Sequence, residues 1–332
     1  MYYRMLSFCG GGIRGYMSAL ILQRLDDAFK DEYGVTLYSR ADCIAGTSTG
    51  SFITGLLLSH VDPGQIVWLY SNVVAPAYLK AKKYATQPAL VSDEWLSLLH
   101  GLPINRRLSE CDKNALFTSF DIGGPSLPWS AQLLNNFPNS TTAEFHLLDA
   151  MAGSGAMPGM LPPYSVVIGG RQYNLLDGAF VHHDPTIPAI ALAAGADVPV
   201  NTISVIDIGT GFMANSITAN ASGWGSTQWL HGTGAEDGQL PPLLANILPI
   251  PANETPILNL TLSGTSTNTM PDLAGMLLGD RFAYLNPDFG DTVITELQAD
   301  AAALKFLYEM AMGCDIEPAM AVLGKYWSPE PS

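Results

Sequence analysis

Short apolar runs alternate with segments of helical period along the first two thirds of this 332-residue chain. Tyr3-Arg4-Met5-Leu6-Ser7-Phe8-Cys9 reads as a buried strand, after which Met17, Leu20, Ile21, Leu25 and Ala28 recur on one helix face. A second unit repeats the pattern, with Cys43-Ile44-Ala45 as a strand end and Phe52-Ile53 and Leu56-Leu57-Leu58 as an apolar helical run. Asp62-Pro63-Gly64-Gln65 supplies an N-cap, a proline at the first helical position and a capping-box partner, so another helix starts there. Further strands are expected at Ala115–Asp121, closed by Gly123-Gly124, and at Ser165–Ile168 and Gln172–Leu176 around Gly169-Gly170. Another is expected at Thr202–Ile208. Helices are expected at Ser92–His100, from Thr141 or Thr142 to Ala150, at Ile187–Ala194 and at Asp291–Met312. Strands and helices in this alternation predict an α/β fold.

Two of the turns carry candidate chemistry. Gly46-Thr47-Ser48-Thr49-Gly50 is G-x-S-x-G set between a strand and a helix, the pattern of a nucleophile elbow. Such a turn pushes the Ser48 hydroxyl out at the strand's carboxyl end, beside a helix N-terminus. Gly10-Gly11-Gly12-Ile13-Arg14-Gly15 also joins a strand to a helix and spells G-x-G-x-x-G, so a dinucleotide site is a reading to weigh. That reading wants an acid about twenty residues on, at the end of a second strand. Asp26 and Asp27 fall inside the helix, and Glu32 precedes the Val35-Thr36-Leu37 run. The other use of such a turn is to offer backbone N–H groups to a developing negative charge, which suits a nucleophile elbow nearby.

Cys9-Gly10-Gly11-Gly12-Ile13-Arg14-Gly15 followed by Gly46-Thr47-Ser48-Thr49-Gly50 resembles the patatin-like phospholipase family. A third landmark, Asp177-Gly178-Ala179, is similar to that family's Asp-Gly-Gly or Asp-Gly-Ala, and Gly209-Thr210-Gly211 is also patatin-like. The resemblance implies a three-layer α/β/α fold with a mostly parallel central sheet. It implies Ser48 as nucleophile, Asp177 as the base of a Ser–Asp dyad, and the turn Gly10, Gly11, Gly12, Ile13 and Arg14 as oxyanion hole. Lipid or other acyl esters would be cleaved through an acyl-enzyme, with neither cofactor nor metal. Two positions depart from the family. Cys9 stands where aspartate is common, and His182-His183-Asp184-Pro185 stands where two asparagines and a proline are usual. His182 and His183 raise a Ser-His-Asp triad as an alternative. A catalytically silent patatin-like scaffold that binds lipid or protein is a second alternative, against which the intact Gly11, Ser48 and Asp177 speak.

The resemblance spans residues 3–211, with a weaker echo at Phe282-Ala283-Tyr284-Leu285-Asn286-Pro287. Composition shifts to Gly, Ser, Thr, Asn and Pro from Phe212 to Leu278, with Trp224, Trp229 and an apolar 241–251 run. That stretch is read either as a mobile cover over an acyl pocket, with tryptophans at a lipid interface, or as an embellishment packed on the core. Residues 281–328 form a C-terminal helical segment, and the whole of 1–332 is expected to be one domain.

A net charge of −15 disfavours a nucleic-acid partner and broad adhesion to anionic membrane, leaving transient contact with a membrane or micelle surface. Lys80, Lys82, Lys83, Arg106 and Arg107 form a local basic exception, read as a solvated face. Cys9, Cys43, Cys111 and Cys314 are scattered without metal spacing and are expected to be free buried thiols. No apolar run reaches the ~18–20 residues that span a bilayer, and no cleavable leader is apparent. A cytoplasmic location, or export without a leader, is the expectation. Oligomeric state, acyl-chain length and head group are open.

Overall fold

The computed structural model describes residues 2–80, 104–124, 127–213, 217, 220–232, 256, 257, 260 and 269–329. In chain order its main elements begin with β1 (Tyr3–Phe8), α1 (Gly15–Tyr33), β2 (Cys43–Gly46), α2 (Thr49–Leu58) and α3 (Pro63–Leu69). Next come β3 (Asn114–Asp121), β4 (Ser130–Asn135), α4 (Leu147–Ser154), β5 (Tyr164–Ile168), β6 (Arg171–Asp177) and α5 (Thr186–Gly195). The series ends with β7 (Ile203–Ile208), α6 (Thr269–Leu278), β8 (Phe282–Leu285), α7 (Ala301–Gly313) and α8 (Glu317–Tyr326).

The strands form one mixed sheet in the order β5-β6-β3-β2-β1-β7-β8, with β4 also paired to β3. The run β3-β2-β1-β7-β8 is parallel, while β4, β5 and β6 join antiparallel. Every residue of β2 and β7 is buried, as parallel strands covered on both faces require. Alternate side chains of these strands enter two separate cores. Leu6, Phe8, Ile44, Ile206 and Ile208 pack with α1, α2, α4, α7 and α8. Met5, Cys43, Ala45, Ile203 and Val205 pack with α5 and α6 on the opposite face. The result is a mostly parallel sheet between two helical layers, as expected.

β3 does more than fill the sheet. Its first half pairs with β2 (Gly46 opposite Phe117) and its second half with β6 (Asp177 opposite Ser119). β4 occupies the other edge alongside both halves. β2 and β6 therefore run head-on along one edge of β3. Their ends face β3 residues two positions apart, Phe117 and Ser119, about 7 Å along the strand.

Several boundaries differ from the sequence-based expectation. The helix expected from Thr141 or Thr142 begins at Leu147 and continues through the small-residue run to Ser154. Thr142 does not cap it, because its Oγ1 accepts the Asn135 N–H at the end of β4. The C-terminal helix begins at Ala301 rather than Asp291: Asp300 accepts the N–H groups of Ala302 and Ala303 and so fixes the start. Residues 291–300 are left as an irregular segment that buries Ile294, Glu296 and Ala299. Asp62 does cap α3, accepting the Gly64 N–H with Pro63 at the first position. β4, α6 and β8 have no counterpart among the expected strands and helices, whereas α8 falls within the helical segment expected over 281–328. The expected helix Ser92–His100, Lys82, Lys83 and the 241–251 run lie outside the described residues.

All four cysteines are free; Cys9 and Cys43 are buried, but Cys111 and Cys314 are only partly so. No helix among the described residues is long and apolar enough to cross a membrane.

Candidate active site

Each half of the elbow is held by a close approach that a side chain would block. A Cβ on Gly50 would lie 2.1 Å from the Phe8 carbonyl oxygen, and one on Gly46 would lie 2.3 Å from the Gly50 carbonyl oxygen. The glycines thus let α2 start directly against the ends of β1 and β2. The turn leaves Ser48 at φ 53, ψ −119, outside the regions ordinary for an L-residue. Its N–H donates to Ser154 Oγ at 2.9 Å, so the last residue of α4 braces the strained position. Thr47 Oγ1 anchors the preceding residue to the His182 carbonyl at 2.7 Å.

Ser48 Oγ donates to Asp177 Oδ2 at 2.7 Å. This contact joins residues 129 apart in sequence, and β3 brings them together by aligning the ends of β2 and β6. Asp177 is fully buried, and its other oxygen accepts the Ala179 N–H at 2.8 Å. Burial pushes its carboxyl up to about 7; the bonds from Ala179 and Ser48 oppose the shift, and the nearby Glu296 adds to it.

The glycine turn lies beside them, a Cβ on Gly10 falling 3.4 Å from Ser48 Cβ and from the His183 ring. Gly11 (φ 146) and Gly12 (φ 58) both sit in the left-handed half of backbone space, where glycine is favoured. Of the five residues expected to form the oxyanion hole, three have their backbone N–H engaged elsewhere. Gly10 N–H donates to the His183 carbonyl, Ile13 N–H to the Glu296 carbonyl and Arg14 N–H to the Gly11 carbonyl. Gly11 and Gly12 N–H have no acceptor among the described residues. Arg14 does not stand free as a local cation: its guanidinium faces Glu296 at 3.7 Å in a nearly buried pair. It also bonds the Gly11 carbonyl through Nε at 3.1 Å.

His183 is buried at the site, and burial, with Arg14 adding, pushes its imidazole down to about 3. Neither His182 nor His183 donates or accepts a side-chain bond with Ser48 or Asp177. Ser154, Thr210 and Glu296 are site residues that sequence reasoning did not assign. Thr210 lay in a quoted motif, whereas nothing in the local pattern marked Glu296.

The two departures from the family pattern meet in space. Cys9, Asp184 and Asp207 place their donor atoms within 4.8 Å of one another, the only such group with metal-like donors among the described residues. Cys9 Sγ faces Asp207 Oδ1 at 3.8 Å, and Asp184 accepts the Thr186 N–H. One oxygen of each carboxylate has no donor. Burial raises both carboxyls, and Asp184 pushes Asp207 further. Two carboxyls buried this close together favour the protonated form of at least one of them.

A Patatin-like phospholipase family model matches residues 6–190. Over nearly its whole length the chain is similar to CotR of Bacillus subtilis, 27% identical over 332 residues that cover 98% of each protein. It is 26% identical to protein teg of Priestia megaterium over 333 residues, 98% of this chain and 99% of that one. Patatin-like protein 1 of Arabidopsis thaliana is 28% identical over 280 residues, 72% of this chain and 66% of that protein.

Proposed function

Because the chain belongs to the patatin-like phospholipase family, a family of lipid acyl hydrolases, we propose that it cleaves carboxylic esters of lipids through a Ser48–Asp177 dyad. The observation that carries the reading is the 2.7 Å hydrogen bond from Ser48 Oγ to a buried Asp177. Ser48 Oγ attacks the ester carbonyl carbon while Asp177 Oδ2 takes its proton. A carboxyl near 7 is a far better base for this step than one near the ordinary 3.8. The tetrahedral oxyanion is held by the Gly11 and Gly12 N–H groups, a donor pair narrower than the five-residue turn. Protonated Asp177 then returns the proton to the leaving alcohol, and water, deprotonated by the same carboxylate, releases the acid from the acyl-enzyme. An alkoxide leaves more readily than an amide nitrogen, so esters are preferred over peptides. The triad alternative is weaker, since an imidazole pushed down to about 3 is a poor base.

Fluorophosphonate labelling tests nucleophile and class together. The label should map to Ser48, and Ser48→Ala should abolish both labelling and hydrolysis of p-nitrophenyl acyl esters in a folded protein. Asp177→Asn should lower kcat/KM by about 10²–10⁴-fold. Full activity in either variant defeats the dyad, and loss on His183→Ala with Asp177→Asn tolerated selects the triad.

A further inference from the structure

The donors assigned to the oxyanion belong to two consecutive peptide units, and each unit is held by its carbonyl. The Gly10 carbonyl accepts a bond from Thr210 Oγ1, and the Gly11 carbonyl accepts from Arg14 Nε. In a planar trans peptide the N–H points opposite to the carbonyl. Thr210 therefore aims the Gly11 N–H, and Arg14 aims the Gly12 N–H. Arg14 can hold that carbonyl because Glu296, 8% exposed, faces its guanidinium at 3.7 Å. Glu296 grips the turn twice more. Its carbonyl accepts the Ile13 N–H at 2.9 Å. Its backbone also closes the space beside Gly12, where a Cβ would come within 2.6 Å of Glu296 Cβ and of its carbonyl oxygen.

The geometry points to Glu296 as a positioning residue for ester cleavage, acting through Arg14 on the direction of the Gly12 N–H. It comes from the irregular segment 291–300, more than a hundred residues beyond the part of the chain that the family model matches. The ionisable groups facing it are Arg14 from the turn after β1, Tyr78 from the Ala75–Leu79 helix and Asp177 at the end of β6. Arg14 in turn faces the His183 ring. Removing the Glu296 charge takes a negative neighbour from Asp177 and frees Arg14, and both changes favour the ionised carboxylate. The inference rests on the acyl-hydrolase reading for its kinetic consequence but not for its structural one.

Three variants separate these. Glu296→Gln preserves shape and the backbone bond to Ile13. It should lower kcat on p-nitrophenyl esters about ten- to a hundredfold, short of full loss of an oxyanion donor, with KM within about threefold. The acid limb of its kcat/KM profile should move to lower pH. Glu296→Asp keeps the charge and should keep the wild-type midpoint. In Glu296→Ala, hydrogen exchange in the peptide covering residues 9–15 should quicken at least about tenfold whether or not the protein hydrolyses esters. Wild-type kcat and midpoint in Glu296→Gln, or unchanged exchange in a folded Glu296→Ala, overturns the positioning role. Faster exchange in Glu296→Ala, with no Ser48-dependent turnover in the wild-type protein, retains that role and removes the hydrolase reading instead.

Discussion

At the level of single residues, burial without a cation of its own is what makes Asp177 a candidate base. Its carboxyl is pushed from 3.8 up to about 7, while Arg14, the cation beside the site among the described residues, is taken by Glu296. The profile of kcat/KM should accordingly rise through about pH 7 and level above it. The same shift acts on stability. Between about pH 4 and pH 7 the folded state keeps a proton that the unfolded state has released, so stability contributed by this group is present at low pH and is lost as pH rises through 7. At about 1.36 kcal/mol per pH unit the gap amounts to roughly 4 kcal/mol above pH 7. Asp177→Asn should therefore raise the melting temperature at pH 8, and the difference should shrink towards pH 4. A lowered melting temperature at pH 8 would show that the two hydrogen bonds Asp177 accepts outweigh its ionisation cost.

Among elements, β3 is the ruler that sets the distance between Ser48 and Asp177, the proposed nucleophile and base. Gly178, the residue after Asp177, lies against it so closely that a Cβ would meet Thr118 Oγ1 at 2.1 Å and the Thr118 carbonyl oxygen at 2.3 Å. Gly178→Ala should push the end of β6 off its template and lengthen the Ser48–Asp177 contact. A displacement near 1 Å is enough to lower kcat about a hundredfold, and thermal melting should fall with it. Gly195, at the end of α5, has nothing within 4 Å of its Cβ position. Gly195→Ala should leave kcat unchanged and stabilise by about 0.5–1 kcal/mol. Equal effects in the two variants would disprove the template. The strand–turn–helix units around Gly10–Gly15 and Gly46–Gly50 were legible in sequence, because their apolar periods and glycine spacings are local. β4 was not: Ser130-Ala131-Gln132 carries no apolar run, and the strand exists because the free edge of β3 needs a partner.

In the whole molecule, the last fifty residues complete the core that the first two hundred begin. β8 adds the final parallel strand to β7, and Leu307, Leu323 and Trp327 are fully buried. Trp327 Nε1 donates to Ser204 Oγ on β7 at 3.0 Å. A chain cut after residue 211 retains the family landmarks but should not fold cooperatively. Thermal melting and circular dichroism would check this, and a sharp transition in the fragment would refute it. Trp327→Ala in the full chain should cost about 3–5 kcal/mol. The amino-acid sequence by itself determined the α/β alternation, the elbow at Ser48, the glycine turn and the order of the landmarks, since these depend on residues a few positions apart. Tertiary structure alone decided that Ser48 meets Asp177 along β3, that within the glycine turn Gly11 and Gly12 are the residues whose amides lack an acceptor among the described residues, and that Glu296 reaches back to Arg14. Each of those facts is a contact across a long stretch of chain, and no local pattern of apolar and polar positions encodes which distant surfaces burial will press together.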